Sequence, residues 1–186
     1  MKLRLTWLLL GGLAVSVASL VAQEAQPLAA PAIKAAPLAA PAVNALISRI
    51  ALGSCMKQDR PMPVLRTVRE FQPELFVWLV YNIYGDTNDM DVLAAKYARL
   101  GRQPDFSALR AEVPMVATWD DHDYGVNDGG REYSKKEASK EVFLRFWGEP
   151  AETARRQRPG IYTSYRFTDP KSKRTLQLIV LDTRTF

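Results

Sequence analysis

Four short apolar runs constrain the fold of this chain more than any other feature: "LISRIALG" from Leu46, "PELFVWLV" from Pro73, "PMVATW" from Pro114 and "TLQLIVL" from Thr175. Each is rich in branched or aromatic residues and has the length of a strand, which predicts four buried β-strands. Helix-like segments lie between them: "VLRTVREF" from Val64, "MDVLAAKYARL" from Met90, "FSALRAE" from Phe106 and "KKEASKEVFLRFW" from Lys135. Before and within the last of these, Ser134 and Glu137 have the spacing of a capping box, and Ala138, Val142, Phe143, Phe146 and Trp147 fall along one face. Strand alternating with helix predicts an α/β fold with a largely parallel sheet. Such sheets bind ligands just beyond the carboxyl ends of their strands.

The residues that follow the runs therefore matter most. The first run delivers Gly53, Ser54 and Cys55, and the second Tyr81 and Asn82; the third delivers Asp120, Asp121, His122 and Asp123, and the fourth Asp182 and Arg184. His122 is the only histidine in the chain. Crowding carboxylates together raises the cost of ionising them unless a cation offsets it, so this group predicts a metal site or an acid/base pair. The alternative is that Asp120 and Asp123 cap a turn. Cys55 is read either as a small buried apolar residue or as a ligand, its place beside the acidic group favouring the ligand. The stretch "GDTNDMD", Gly85 to Asp91, fits a metal loop or a turn leading into a helix.

The rest of the chain is organised around this body. Residues 1–25 have a basic start at Lys2 and Arg4 and then an apolar stretch, the pattern of a secretory signal; an uncleaved membrane anchor is the alternative. Residues 26–46 contain the repeat "PLAAPAIKAA" and "PLAAPAVNAL", too regular in proline for a helix and too poor in apolar surface for a core, hence a linker. Cys55 is the sole cysteine, so an intrachain disulfide is excluded. The net charge of +5 comes from the segment Arg131 to Arg174, which holds twelve Lys and Arg against six Asp and Glu. Such a strip reads as a solvated face or as an attractor of anions; without aromatic interleaving it predicts no nucleic-acid partner.

Taken in order, "RIALGSC", "PELFVWL" with "NIYGDT", "WDDHDYGVNDGG", "GIYTSYRF" and "LIVLDTR" resemble the alkaline phosphatase D (PhoD-like) family of metallophosphoesterases. The resemblance implies a secreted or periplasmic hydrolase of phosphate mono- or diesters, with no stable membrane anchor after signal cleavage. It also implies a four-layer α/β/β/α sandwich with an iron–calcium centre. By position, Cys55 and Asp121 would be metal ligands, and Asn82 would join them. His122 would stand beside the phosphate as a proton donor, and Arg184 would hold the phosphate charge. Asp120, Asp123, Asn127, Asp128 and Asp182 would support these groups from behind, Asp182 by orienting Arg184.

The chain departs from the family pattern in two places. Where the family carries Gly-Asp-Asn after the second strand, this sequence has Val80, Tyr81 and Asn82, so Tyr81 occupies the position of a bridging aspartate. The family core also continues past "LDTR", whereas this sequence ends at Phe186. Residues 47–186 are thus expected to be the N-terminal half of the sandwich, incomplete at the C-terminus. Its inner sheet face is expected to be exposed and its hydrolysis absent or impaired. A secreted, non-catalytic protein that binds phosphate ligands is the alternative function.

Overall fold

The computed structural model describes residues 46–186. The expected signal and all of the linker except Leu46 lie outside the described residues. Strands β1 (Ile50–Gly53), β2 (Leu75–Trp78) and β3 (Met115–Ala117) form a parallel sheet in that order. Ile50 pairs with Leu75 and Gly53 with Trp78, while Phe76 pairs with Met115 and Trp78 with Ala117. Helix α1 (Val64–Glu70) makes the first crossover; α2 (Met90–Gly101) and α3 (Pro104–Glu112) make the second. Because both crossovers step in the same direction with the same hand, their helices fall on one face of the sheet.

Strand alternation then divides the core. Phe76, Trp78, Met115 and Ala117 face the helices and pack with Leu65, Leu93, Tyr97, Leu100, Phe106 and Leu109. Helix α5 (Lys136–Trp147) closes this layer over α2, bringing Phe146 within 4.8 Å of Tyr97 between ring centroids. Leu75, Val77 and Val116 point the other way, onto Phe167 and Val180.

Those last two residues come from β4 (Thr163–Thr168) and β5 (Thr175–Val180), a separate antiparallel hairpin. The described residues therefore make a helical layer, a parallel sheet and a two-stranded second β layer. The fourth apolar run is not a further strand of the parallel sheet, because the chain turns back at Asp169 to Arg174 and pairs with the segment before it. The hairpin covers part of the sheet face expected to lack a partner: Leu75, Val77 and Val116 are buried, while Leu52 on the same face stays 62% exposed.

Helix ends differ from expectation at α5. Lys135 is the N-cap and no side chain caps it, so the Ser134/Glu137 box does not form. The buried face comprises Ser139, Lys140, Phe143, Leu144, Phe146 and Trp147, with Ala138 exposed. Asp89 caps α2, accepting from the backbone N–H groups of Asp91 and Val92 at 2.8 and 3.2 Å. The C-terminal part of "GDTNDMD" is thus a turn and helix start.

Part of the basic segment is spent inside the fold, while Arg131, Lys135, Arg145, Arg166, Lys171, Lys173 and Arg174 stay exposed. Lys140 is buried and donates to the carbonyls of Arg156 and Arg158 at 3.2 and 2.5 Å. Arg155, from the short helix α6 (Ala154–Gln157), donates to the carbonyls of Ile161 at 2.6 Å and Ala117 at 2.7 Å, tying the end of β3 to the entry of the hairpin. Arg156 binds Glu141 and the carbonyls of Glu149 and Pro150. Cations that satisfy buried carbonyls hold loops in place and contribute little to an anion-attracting surface.

Candidate functional site

The loops after β1, β2 and β3 meet at one edge, joined to the turn after β5. The Cys55 and Met56 N–H groups donate to the carbonyls of Val80 and Tyr81 at 3.1 and 2.9 Å. The Gly85 N–H donates to the carbonyl of His122 at 3.0 Å, and the Thr118 hydroxyl donates to the Leu181 carbonyl at 2.7 Å. Cys55, Tyr81, Asp86 and Asp128 all adopt positive φ, at 59, 52, 43 and 59°. Side chains disfavour that region, and such residues gather where surrounding contacts over-determine a loop, as at binding sites.

His122 is the centre of this edge. It lies on α4 (Asp121–Tyr124), the turn of helix that the acidic segment forms. Its Nδ1 meets Asp86 Oδ1 at 2.5 Å. The rings of Tyr81 and Tyr84 lie 4.8 and 4.6 Å from its own. An ionised Asp86 accepting from Nδ1–H selects the tautomer in which Nε2 is an acceptor; on protonation Nε2 becomes a donor. Asp86 and Tyr84 were not among the residues singled out in the sequence. Both sit in the quoted "NIYGDT", and the signal for them was Gly85, a buried glycine that lets the two loops touch.

Gly85 shows how tight that contact is. A Cβ at this position would lie 2.5 Å from the His122 carbonyl oxygen and 2.5 Å from a Leu93 methyl. Gly85→Ala must therefore push α4 off the loop. The expected loss is about 1–3 kcal/mol, the usual cost of overpacking, with a shift of the His122 ring signals. Thermal unfolding together with the His122 proton resonance tests this; wild-type stability and an unmoved resonance would refute it.

The carboxylates separate into distinct roles. Arg184 donates Nε to Asp120 and Nη2 to Asp121 Oδ1, the latter at 3.4 Å. Asp121 is buried, which opposes ionisation, yet the Asp128 N–H at 2.7 Å and the charge of Arg184 outweigh this and lower its pKa. Asp128 acts through its backbone, and Asn127 hydrogen-bonds its side chain at 2.7 Å. Asp123 is fully buried beneath the site and accepts from the N–H groups of Ile83 and Asp120 at 3.0 and 3.2 Å. Its burial outweighs these bonds and raises its pKa to about 7. Asp123 therefore does what the turn-capping alternative described, bracing α4 against the loop after β2. Asp182 organises the last turn, where Arg184 N and Thr185 N donate to its Oδ1 at 3.0 and 3.1 Å.

Tyr81 stands among these groups. Burial, then Asp120 and Asp121, push its hydroxyl up to about 12, so it is a neutral donor facing the carboxylates. Asn82 donates to the Thr118 carbonyl at 2.8 Å, while its own Oδ1 is buried without a partner. Cys55 is exposed at the rim. Among the described residues no three His, Cys, Asp or Glu side chains converge closely enough to hold a metal ion. Arg184 supplies the positive charge that Asp120 and Asp121 need, and the Asn82 Oδ1 is a buried acceptor without a partner. The described residues thus do not complete the iron–calcium centre implied by Cys55, Asp121 and Asn82.

No family model matches the chain, and no curated protein does. Among solved structures, that of PhoD is similar with a TM-score of 0.58 at 18% identity, over 80% of this chain and 34% of that one. The chain spans about a third of the PhoD chain's length, and what the likeness shows is that the described residues share the fold of that part of PhoD.

Proposed function

We propose that the strand-end cluster is directed at phosphate esters, as part of a PhoD-like hydrolase acting outside the cytoplasm. The observation that carries this reading is the convergence of the His122–Asp86 pair and Arg184 at one edge of a sheet with the PhoD fold. In hydrolysis, water attacks phosphorus, the ester P–O bond breaks, and the proton that the attacking water loses passes to solvent, from which His122 is reprotonated. Protonated His122 gives its Nε2 proton to the leaving oxygen, while Asp86 holds the ring from Nδ1. Arg184 offsets charge on the remaining phosphoryl oxygens once it turns from Asp120. Iron and calcium are the cofactors the resemblance implies.

The same geometry supports an impaired enzyme. Tyr81 presents a neutral phenol where the family pattern places a bridging carboxylate, and Arg184 is neutralised by two aspartates. Retained binding with feeble turnover is the expected behaviour, and Tyr81 is the observation that favours the non-catalytic alternative.

The single histidine gives a clean test, since His122 alone supplies imidazole resonances. Titration with inorganic phosphate or a simple phosphodiester should shift them saturably, and Arg184→Ala should remove the shift. Whatever hydrolysis is measured with iron and calcium supplied should fall about 10²- to 10⁴-fold in His122→Ala, the usual contribution of a general acid. Unmoved resonances with wild-type protein, or turnover indifferent to His122→Ala, would sink the proposal. Turnover that rises in Tyr81→Asp would locate the impairment at that residue.

A further inference from the structure

The structure assigns Gln58 and Lys96 as positioning residues for His122, an assignment that rests on the reading of His122 as the proton donor. Together they anchor the backbone of Tyr84 and Gly85, and that anchor holds Asp86 against the imidazole ring. His122 lies on α4, but two groups that fix its ring, Asp86 at Nδ1 and the Tyr84 ring at 4.6 Å, belong to the loop after β2. Tyr84, Gly85 and Asp86 lie in neither helix nor strand, and Asp86 has a positive φ. Such a conformation persists only where its surroundings over-determine it, so groups outside the loop must set where the Asp86 carboxylate stands.

Gln58 supplies one half of the anchor. It comes from the loop after β1, where it is buried, and its amide pairs with Tyr84 in both directions. The Tyr84 N–H donates to Oε1 at 3.0 Å, and Nε2 donates to the Tyr84 carbonyl at 3.3 Å. An amide carries one acceptor and one donor side by side, so this match fixes the orientation of the Tyr84 backbone as well as its place. Gln58 is itself held by Gln103, whose Nε2 donates to the Gln58 carbonyl at 2.7 Å.

Lys96 supplies the other half from α2. Its Nζ donates to the carbonyls of Tyr84 at 3.2 Å and Gly85 at 2.7 Å. Bonds from an ammonium are stronger than neutral ones, and Leu93, Tyr97 and Leu100 of the same helix are buried, so the donor stands on a rigid base. On its far side the loop meets α4, where the Gly85 N–H donates to the His122 carbonyl at 3.0 Å. Asp86 keeps a proton on Nδ1 and so reserves Nε2 for the transferred proton. Releasing the anchor frees the tautomer and the ring without removing any group that faces the substrate.

Imidazole ¹⁵N shifts of the full chain with His122 neutral read this directly, since that histidine is the only one. Wild type should show a single tautomer, protonated at Nδ1. Lys96→Met keeps the stem and removes the donors; it should give mixed tautomers in a chain that tryptophan fluorescence shows to be folded. Lys96→Arg, which can still donate to both carbonyls, should restore the single form, and Gln58→Leu should behave as Lys96→Met does. Any turnover measured with iron and calcium supplied should fall about 10²-fold in kcat in Lys96→Met with KM little changed, the cost of a displaced reacting group. Wild-type nitrogen shifts in either folded variant would overturn the assignment of that residue, and a wild type that already mixes tautomers would overturn both. Should Gln58→Leu not fold, Lys96→Met alone decides. Tautomers released by Lys96→Met in a chain that hydrolyses nothing would support the anchor and count against the hydrolase reading alone. Turnover lost in His122→Ala, with tautomer and kcat unmoved in Lys96→Met, would sink the anchor alone.

Discussion

Asp182→Ala is expected to cost the fold about 1–3 kcal/mol, the range for leaving hydrogen-bond donors without their acceptor away from water. Asp182 Oδ1 accepts from the Trp119 indole at 3.0 Å and from the backbones of Arg184 and Thr185; Oδ2 accepts from Ile161 N and the Thr185 hydroxyl, both at 2.8 Å. One carboxylate thereby ties the end of β3, the entry to the hairpin and the turn that carries Arg184. Alanine leaves these donors without an acceptor in a partly buried place. Asparagine keeps one oxygen and should lose about half as much. Denaturant unfolding followed by tryptophan fluorescence measures this. A loss below about 1 kcal/mol, the worth of an ordinary hydrogen bond, would show that the network is not the clamp described here.

The acid limit follows from the same residue. Burial opposes ionisation of Asp182, but the bonds from Trp119, Ile161, Arg184 and Thr185 prevail and lower its pKa from 3.8. A depressed folded pKa gives stability that is present above the unfolded value and lost as pH falls through the folded one. The loss from this group therefore begins near pH 4 and runs downward.

Asp123 acts in the opposite sense, with the second large effect. Its pKa rises from 3.8 to about 7 because burial outweighs the backbone bonds it accepts. A carboxyl raised in the folded state contributes fully below its unfolded pKa, and that contribution drains as pH climbs toward the folded value. Between pH 4 and 7 the fold should lose about 2–4 kcal/mol through this group, then level off, at about 1.4 kcal/mol per pKa unit. Together the two aspartates predict greatest stability in mild acid. Asp123→Asn should flatten the decline between pH 4 and 7, at the cost of setting an amide NH₂ against Ile83 N or Asp120 N. Unfolding free energies measured across pH 3 to 9 decide this: an undiminished slope in Asp123→Asn would show that another group carries it.

Much of the architecture was legible in the residues. The apolar runs at Ile50, Leu75 and Met115 become β1 to β3 because each is short, branched and flanked by helix starts. Helices near Val64, Met90 and Phe106 follow from apolar spacing, with Asp89 capping the second. The runs at Leu46 and Thr175 form strands but not buried ones: no residue of β1 is buried, and β5 buries only Val180. Local pattern records that a segment is extended, whereas its partner is set by how the chain turns, and "FTDPKSKRT" folds β5 back onto β4.

The site divides in the same way. That His122 and Asp120 to Asp123 lie at the edge beyond β1 and β2 was legible in the residues, because segments that follow parallel strands emerge on the same side of the sheet; Asp182 and Arg184 reach that edge from the turn after β5, a strand of the separate hairpin. Tertiary structure alone decided which of them touch: Arg184 takes Asp120 and Asp121, Asp86 takes His122, Asp123 turns inward as a brace, and Cys55 stays at the rim. The physical reason is that a strand end specifies where a side chain starts. Its partner depends on loop conformations such as the positive-φ turns at Tyr81 and Asp86, and on close approaches such as Gly85 against His122, which only long-range packing enforces.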